Sequence, residues 1–151
     1  MTKRWMTLIA FLAMAGAVHA QQPPTDTDLK TAYCITVEKL AIANLTSIGT
    51  GDPQPPPALV TNEMNAMNER IARMQRYLLP RMEYLDGNAL LMASAQAKSD
   101  VSHMNNASTS QCTNACGMPQ TMEQFMACTK ACAPEIFPRL WSCNDTSFLP
   151  F

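Results

Sequence analysis

The chain has 151 residues, of which 47% are hydrophobic and 15% are charged, and its formal net charge is −1. This length suits one domain with a modest core. The near-zero charge argues against a nucleic-acid-binding protein and against a protein held on an anionic membrane.

The N-terminus has the three parts of a secretory signal peptide. Two basic residues, Lys3 and Arg4, precede an apolar run at 6–18, and Ala20 then offers a small-residue cleavage site before Gln21. The run is shorter than the roughly 20 residues that cross a bilayer. We therefore expect a cleaved signal peptide at 1–20 and a single exported domain at 21–151.

Cleavage changes the charge of the protein, because Lys3 and Arg4 leave with the signal peptide. Nine basic residues then face twelve acidic ones, for a net charge of −3. No second apolar stretch has the length of a membrane span. The mature protein is therefore expected to be periplasmic or secreted, with no nucleic-acid partner and no membrane span.

Residues 28–105 are predicted to form helices. Apolar residues recur at spacings of three and four over 28–48, and a proline-rich connector at 52–57 follows. A second helix carries a heptad seam, which Pro80 is expected to end or kink. The seam consists of Val60, Met64, Met67, Ile71, Met74 and Leu78. A third helix is predicted over 89–104, and since no stretch alternates apolar and polar residues convincingly, the fold class is all-α, a small helical bundle.

The last third of the chain contains two short segments that each begin with a capping box. Residues 108–111 and 121–124 match the Ser/Thr-x-x-Glu/Gln pattern, and each opens a segment with two cysteines. Together they make up a predicted helical hairpin at 108–133. The tail at 134–151 contains prolines and is too apolar to be free in water, so we expect it to dock on the core.

Six cysteines follow the predicted cleavage site, and an even number in an oxidising compartment indicates three disulfides. They are Cys34, Cys112, Cys116, Cys128, Cys132 and Cys143. The middle four form two C-x3-C pairs, and positions i and i+4 of a helix share a face. Two such helices folded against each other can be joined by two disulfides.

This twin C-x3-C motif resembles the disulfide-bonded α-hairpins of small mitochondrial intermembrane-space chaperones and of plant α-hairpinin peptides. The resemblance covers residues 112–132. It implies that outer cysteines pair together and inner cysteines pair together, Cys112 with Cys132 and Cys116 with Cys128. Cys34 and Cys143 then remain for a third bridge, between the first helix and the tail. The overall layout is also similar to small exported proteins of Gram-negative bacteria, a resemblance that implies no function.

The position of the hairpin turn leaves a second pairing open. If Gly117 ends the first hairpin helix, the heights of the cysteines at 1.5 Å per residue favour Cys112 with Cys128 instead. Both pairings stay open at this point.

The sequence predicts no enzyme, no catalytic residue, no metal site and no cofactor. Zinc sites prefer C-x2-C pairs, and thioredoxin-like redox motifs use the same short spacing. His103 is the only histidine after the cleavage site, and no catalytic arrangement can be predicted around it. Met64, Met67 and the methionines at 118–126 could bind Cu(I) through thioether sulfur. Packing in the core is the preferred interpretation for the two on the seam.

The second helix also concentrates four of the nine basic residues that follow the cleavage site, Arg70, Arg73, Arg76 and Arg81. They lie roughly opposite the seam, which predicts a solvated face. The predicted function is a non-enzymatic binding protein that acts on another exported protein. A carrier of a small apolar ligand or of Cu(I) is the alternative.

Overall fold

The structure is a computed structural model that describes residues 21–48, 57–110, 127–128 and 130–151. Within these ranges the protein is helical and has no β-strand, which confirms the predicted all-α fold class. The helices with defined bounds are α1 (Asp26–Ile48), α2 (Pro57–Leu78), α3 (Gly87–Ser110) and α4 (Phe137–Trp141), with 3₁₀ turns at Leu79–Arg81 and Ser142–Asn144.

A capping box sets the start of α1, two residues earlier than the sequence predicted. The backbone N–H of Asp28 donates to Oγ1 of Thr25 at 3.2 Å, and the Asp28 carboxylate accepts the N–H of Thr25 at 2.8 Å. Aspartate here takes the position that glutamate or glutamine usually fills in this motif. The helix therefore begins at Asp26, directly after its N-cap.

The α2 seam is buried mainly in its C-terminal half. Ile71, Met74 and Leu78 are buried, whereas the three earlier seam positions are half-buried. The α-helix ends at Leu78, and Pro80 falls in the 3₁₀ turn that follows. This agrees with the predicted stop, since proline cannot donate the backbone hydrogen bond that a continuing helix needs.

Backbone hydrogen bonds join the segment before α1 to the turn before α3. The N–H of Gln22 donates to the carbonyl of Tyr84 at 2.7 Å, and the N–H of Asp86 donates to the carbonyl of Gln22 at 3.0 Å. The Asp86 carboxylate also accepts the N–H of Asn88 at the start of α3. The bridge between Gln22 and Leu85 is parallel, so α1 and α3 start side by side and run in the same direction.

Helix α1 is the centre of the bundle. Both α2 and α3 pack against α1 more extensively than against each other. The C-terminal tail covers one side of α1, where Cys34 and Cys143 form a disulfide with their Cα atoms 5.1 Å apart. Leu149 is buried in the same cluster. The tail therefore docks on the core, and the expected third bridge is present.

Several predicted features lie outside the described residues. These are the signal peptide at 1–20, most of the proline-rich connector, and hairpin residues 111–126 with Cys112 and Cys116. Cys128 and Cys132 are described, and both are disulfide-bonded. The choice between the two hairpin pairings stays a prediction.

Candidate functional site

An apolar groove runs along α1 on the side opposite the C-terminal tail. With 3.6 residues per turn, Ala32, Thr36 and Lys39 share one face of α1, whereas Cys34 and Val37 lie on the face that the tail covers. Helices α2 and α3 form the two walls, because they flank α1 without closing over this face. The groove has a volume of about 670 Å³.

The floor of the groove is buried and its rim is exposed. Ala32, Leu78 and Leu90 pack together in the floor. The rim carries large apolar side chains that are more than half exposed. They are Leu79 at 60%, Met82 at 51% and Leu91 at 69%. The groove is thus an open apolar trough, and water covers its upper edge.

Small residues create the space above the floor. Ala32 and Thr36 on α1, and Gly87 and Ser94 on α3, have short side chains where larger ones would fill the trough. The Thr36 hydroxyl donates to the carbonyl of Ala32 within its own helix. Its polar atom is therefore satisfied locally, and the groove presents little but methyl and methylene groups at this point.

Two lysines are the only charged residues among the described ones that line the groove. Lys39 comes from α1 and Lys98 from α3, and both are exposed. Neither forms an ion pair with any residue that the structure describes. Their charges are therefore available to a bound molecule.

An ion pair between a buried aspartate and a half-exposed arginine fixes one end of the groove. Arg81 donates from Nε to Oδ1 of Asp28 at 2.7 Å and from Nη2 to Oδ2 at 3.1 Å. Burial alone would raise the pKa of Asp28, but the hydrogen bonds from Arg81 and Thr25 outweigh it and hold that pKa well below its usual range. The pair holds the 3₁₀ turn that carries Leu79 against α1.

A second buried carboxylate joins three helices behind the groove. Arg139 of α4 donates twice to Asp100 of α3, at 3.0 and 3.1 Å, and the Tyr33 hydroxyl donates to the same carboxylate at 2.8 Å. Burial opposes ionisation of Asp100, but hydrogen bonds led by Arg139 and Tyr33 lower its pKa overall. Burial and the adjacent carboxylate raise the pKa of Tyr33. This network fixes α4 to the back of the bundle.

The four arginines predicted to form a solvated face are divided: Arg73 and Arg76 are exposed as predicted, whereas Arg70 and Arg81 are partly buried. Arg70 binds the buried Glu38 of α1, with Nη2 to Oε2 at 3.1 Å, and Arg73 donates to Oγ1 of Thr146 in the tail at 3.2 Å. Arg81, just beyond the helix, reaches Asp28. The buried carboxylates Glu38 and Asp28 of α1 draw Arg70 and Arg81 inward, so these two arginines join α2 and the turn after it to α1.

The other candidate residues do not converge on the groove. His103 is exposed on α3, and Met64 and Met67 are half-buried on the α2 seam. The methionines at 118–126 lie outside the described residues. In the described ranges, no group of three or more His, Cys, Asp or Glu side chains could hold a metal ion. No helix in the same ranges is long and apolar enough to span a bilayer.

No protein-family model matches this chain, and neither a curated protein nor a solved structure gives a significant match. The groove is therefore the feature on which a function can be argued. It could not be predicted from the sequence, because its walls come from three helices that are distant in the chain. The sequence contains one local indication of the groove, the short side chains of Ala32 and Thr36 at positions i and i+4 of one helix face. The same spacing of short side chains is common where two helices pack closely, so it does not distinguish a groove from a helix contact.

Proposed function

We propose that this protein is an exported, non-enzymatic binding protein whose groove holds a helical segment of another exported protein. The observation that carries the proposal is the exposed apolar rim above a buried apolar floor. Large apolar patches on soluble proteins mark interaction sites, because leaving them in water costs free energy. Leu79, Met82 and Leu91 form such an edge along the groove.

The arrangement of the three long helices fits a fourth helix. Helices α2 and α3 flank α1, and the side of α1 that faces away from the tail is open. A partner helix laid in this trough would pack its apolar stripe against Ile35, Leu78 and Leu90, and would complete a bundle of four. Recognition of an amphipathic helix in an apolar groove is a recurring mode of protein binding.

Export and the absence of catalysis rest on separate observations. The order of charged, apolar and small residues in 1–20 is that of a signal peptide. The buried Cys34–Cys143 disulfide fits an oxidising compartment. The described lining of the groove has lysines as its only ionisable groups, without a neighbouring acid, histidine or thiol to pair with. This supports binding over chemistry.

The volume of the groove favours one alternative, a carrier of a small apolar ligand. About 670 Å³ lies within the range of about 300–1,000 Å³ that small-molecule pockets occupy. Such pockets bury most of their ligand, whereas this groove is open along its rim. The open rim is why a protein segment is the preferred occupant.

A matched pair of tryptophan substitutions tests the proposal. Ser94 is half-buried in the groove, and Ser99 is exposed on the same helix and does not line the groove. Tagged wild type, Ser94→Trp and Ser99→Trp are each purified from the exported fraction of the host, together with the proteins that they bind. A partner protein should be captured with wild type and with Ser99→Trp but not with Ser94→Trp. Mass spectrometry of the captured material, with circular dichroism as the check on folding, provides the measurement.

Two results would go against the proposal. If Ser94→Trp retains every protein that Ser99→Trp retains, the groove does not bind a partner protein. If wild type instead releases an apolar small molecule into organic solvent and Ser94→Trp does not, the carrier is the correct function.

A further inference from the structure

Two lysines without an ion pair to any described residue lie at one end of the groove, whereas Arg81 at the other end is paired with Asp28. Since α1 and α3 run in the same direction and Ala32 packs beside Leu90, Lys39, seven residues further along α1, is level with the turn of α3 that contains Lys98. Met82 and Gly87 lie at the opposite end. Gly87 and Lys98 are eleven residues apart, so the ends are separated by about 16 Å along α3.

The charge at the lysine end is not neutralised by the described residues. The buried carboxylate that precedes Lys39, Glu38, is held by Arg70 on another face of α1. The carboxylate closest in sequence to Lys98, Asp100, is held by Arg139 behind the bundle. The chain that follows the signal peptide has a net charge of −3, so these two lysines form a local positive site on an acidic protein.

Building on the proposed function, we infer that the partner helix is amphipathic and carries carboxylates at one end, which lie over Lys39 and Lys98. Its apolar stripe lies on the floor formed by Ala32, Leu78 and Leu90. The apolar contact supplies most of the affinity, and the charged end sets the register and speeds the encounter, as rim charges do at other interfaces. A basic or neutral helix with the same apolar stripe therefore binds the groove more weakly than an acidic one.

Synthetic peptides can test this inference with the full, disulfide-bonded chain. The probes are two fluorescein-labelled helical peptides of about 18 residues with the same leucine stripe, one with a glutamate cluster in its first turn and one with glutamines there. Because the glutamates can form two exposed ion pairs with the lysines, the glutamate peptide should bind about 2- to 30-fold more tightly than the glutamine peptide. Fluorescence anisotropy measures both affinities. The preference should shrink at about 0.5 M salt, because exposed charges are screened.

Variants that remove positive charges show whether Lys39 and Lys98 cause the preference for the glutamate peptide. K39Q/K98Q should bind both peptides equally, and the control R76Q/K130Q, which removes two positive charges outside the groove, should keep the preference. If both peptides bind wild type equally and Ser94→Trp abolishes both, the groove binds helices but the inference about acidity is wrong. If neither peptide binds, or if dodecanoate binds and they do not, the proposed function itself fails.

Discussion

At the scale of single residues, the bundle is held by buried carboxylates that meet an arginine from another element. Asp28 is fully buried, and Arg81 and Thr25 donate hydrogen bonds to it. Its pKa in the folded protein lies below the value of about 3.9 that an unfolded chain has. Asp28 therefore stabilises the fold above that pH, and the contribution is lost as the pH falls towards the folded pKa.

Substitution of Arg81 tests this dependence of stability on pH. We expect Arg81→Ala to lower the free energy of unfolding at neutral pH, because it leaves the buried carboxylate of Asp28 without its cation. The loss of unfolding free energy should be smaller near pH 3, because a carboxyl with the ordinary pKa of about 3.9 is then mostly protonated and no longer needs a cation. Urea unfolding at the two pH values measures both quantities, with the exposed Arg76→Ala as the control. An equal loss at both pH values would show that the ionised carboxylate is not the cause.

These ion pairs could not be predicted from the sequence. Arg81 and Asp28 are 53 residues apart, and Arg139 and Asp100 are 39 apart. A helical period identifies which residues share a face, but it does not say which distant side chain will lie opposite that face. This is why Arg70 and Arg81 were predicted to be solvated, although each pairs with a buried carboxylate.

At the scale of elements, periodicity was sufficient to predict the helices and the ends of α1 and α2, but not the starts of α1 and α3 or the end of α3. The seam of α2 was predicted residue by residue, because heptad spacing is a local property of the sequence. Helix α1 starts two residues before its predicted position, because Thr25 and Asp28 form its capping box. Helix α3 begins at Gly87, where Asp86 accepts the N–H of Asn88, and continues to Ser110, so its predicted end at 104 and the helix start predicted at Ser108 are wrong. The segment at 134–151 was expected to dock, and a disulfide now specifies where it does so.

This disulfide should contribute strongly to stability. It joins residues 109 positions apart, and a bridge closing about 100 residues is worth up to roughly 4.7 kcal/mol in the loop-entropy treatment. We expect C34A/C143A to lower the free energy of unfolding by about 3–5 kcal/mol. Hydrogen exchange should quicken in α4 and in the 3₁₀ turn that follows it.

The neighbouring substitution Ser142→Ala is the control for that experiment and should change stability by less than about 0.5 kcal/mol. Unaltered protection of α4 in C34A/C143A would mean that Leu149 and the contact of Arg139 with Asp100 hold the tail without the bridge.

At the scale of the whole molecule, the fold class could be predicted but the groove could not. The lack of alternating strands made an all-α bundle the expected outcome. The groove depends on how far α2 and α3 spread on either side of α1, which is set by packing among Ala32, Leu78 and Leu90. No local pattern encodes that spread. The open side of α1 is the feature on which the proposed binding of a partner helix depends.

Site-specific photo-crosslinking from the groove tests the proposed binding most directly. A benzoylphenylalanine is placed at Leu91, on the rim, or at Met92, which is 74% exposed on the same helix and does not line the groove. In the native host, we expect Leu91 to yield one discrete adduct, mapped to the apolar face of a helix in another exported protein, and Met92 to yield none. Adducts to the same partner from both positions, or none from Leu91, would contradict the proposal.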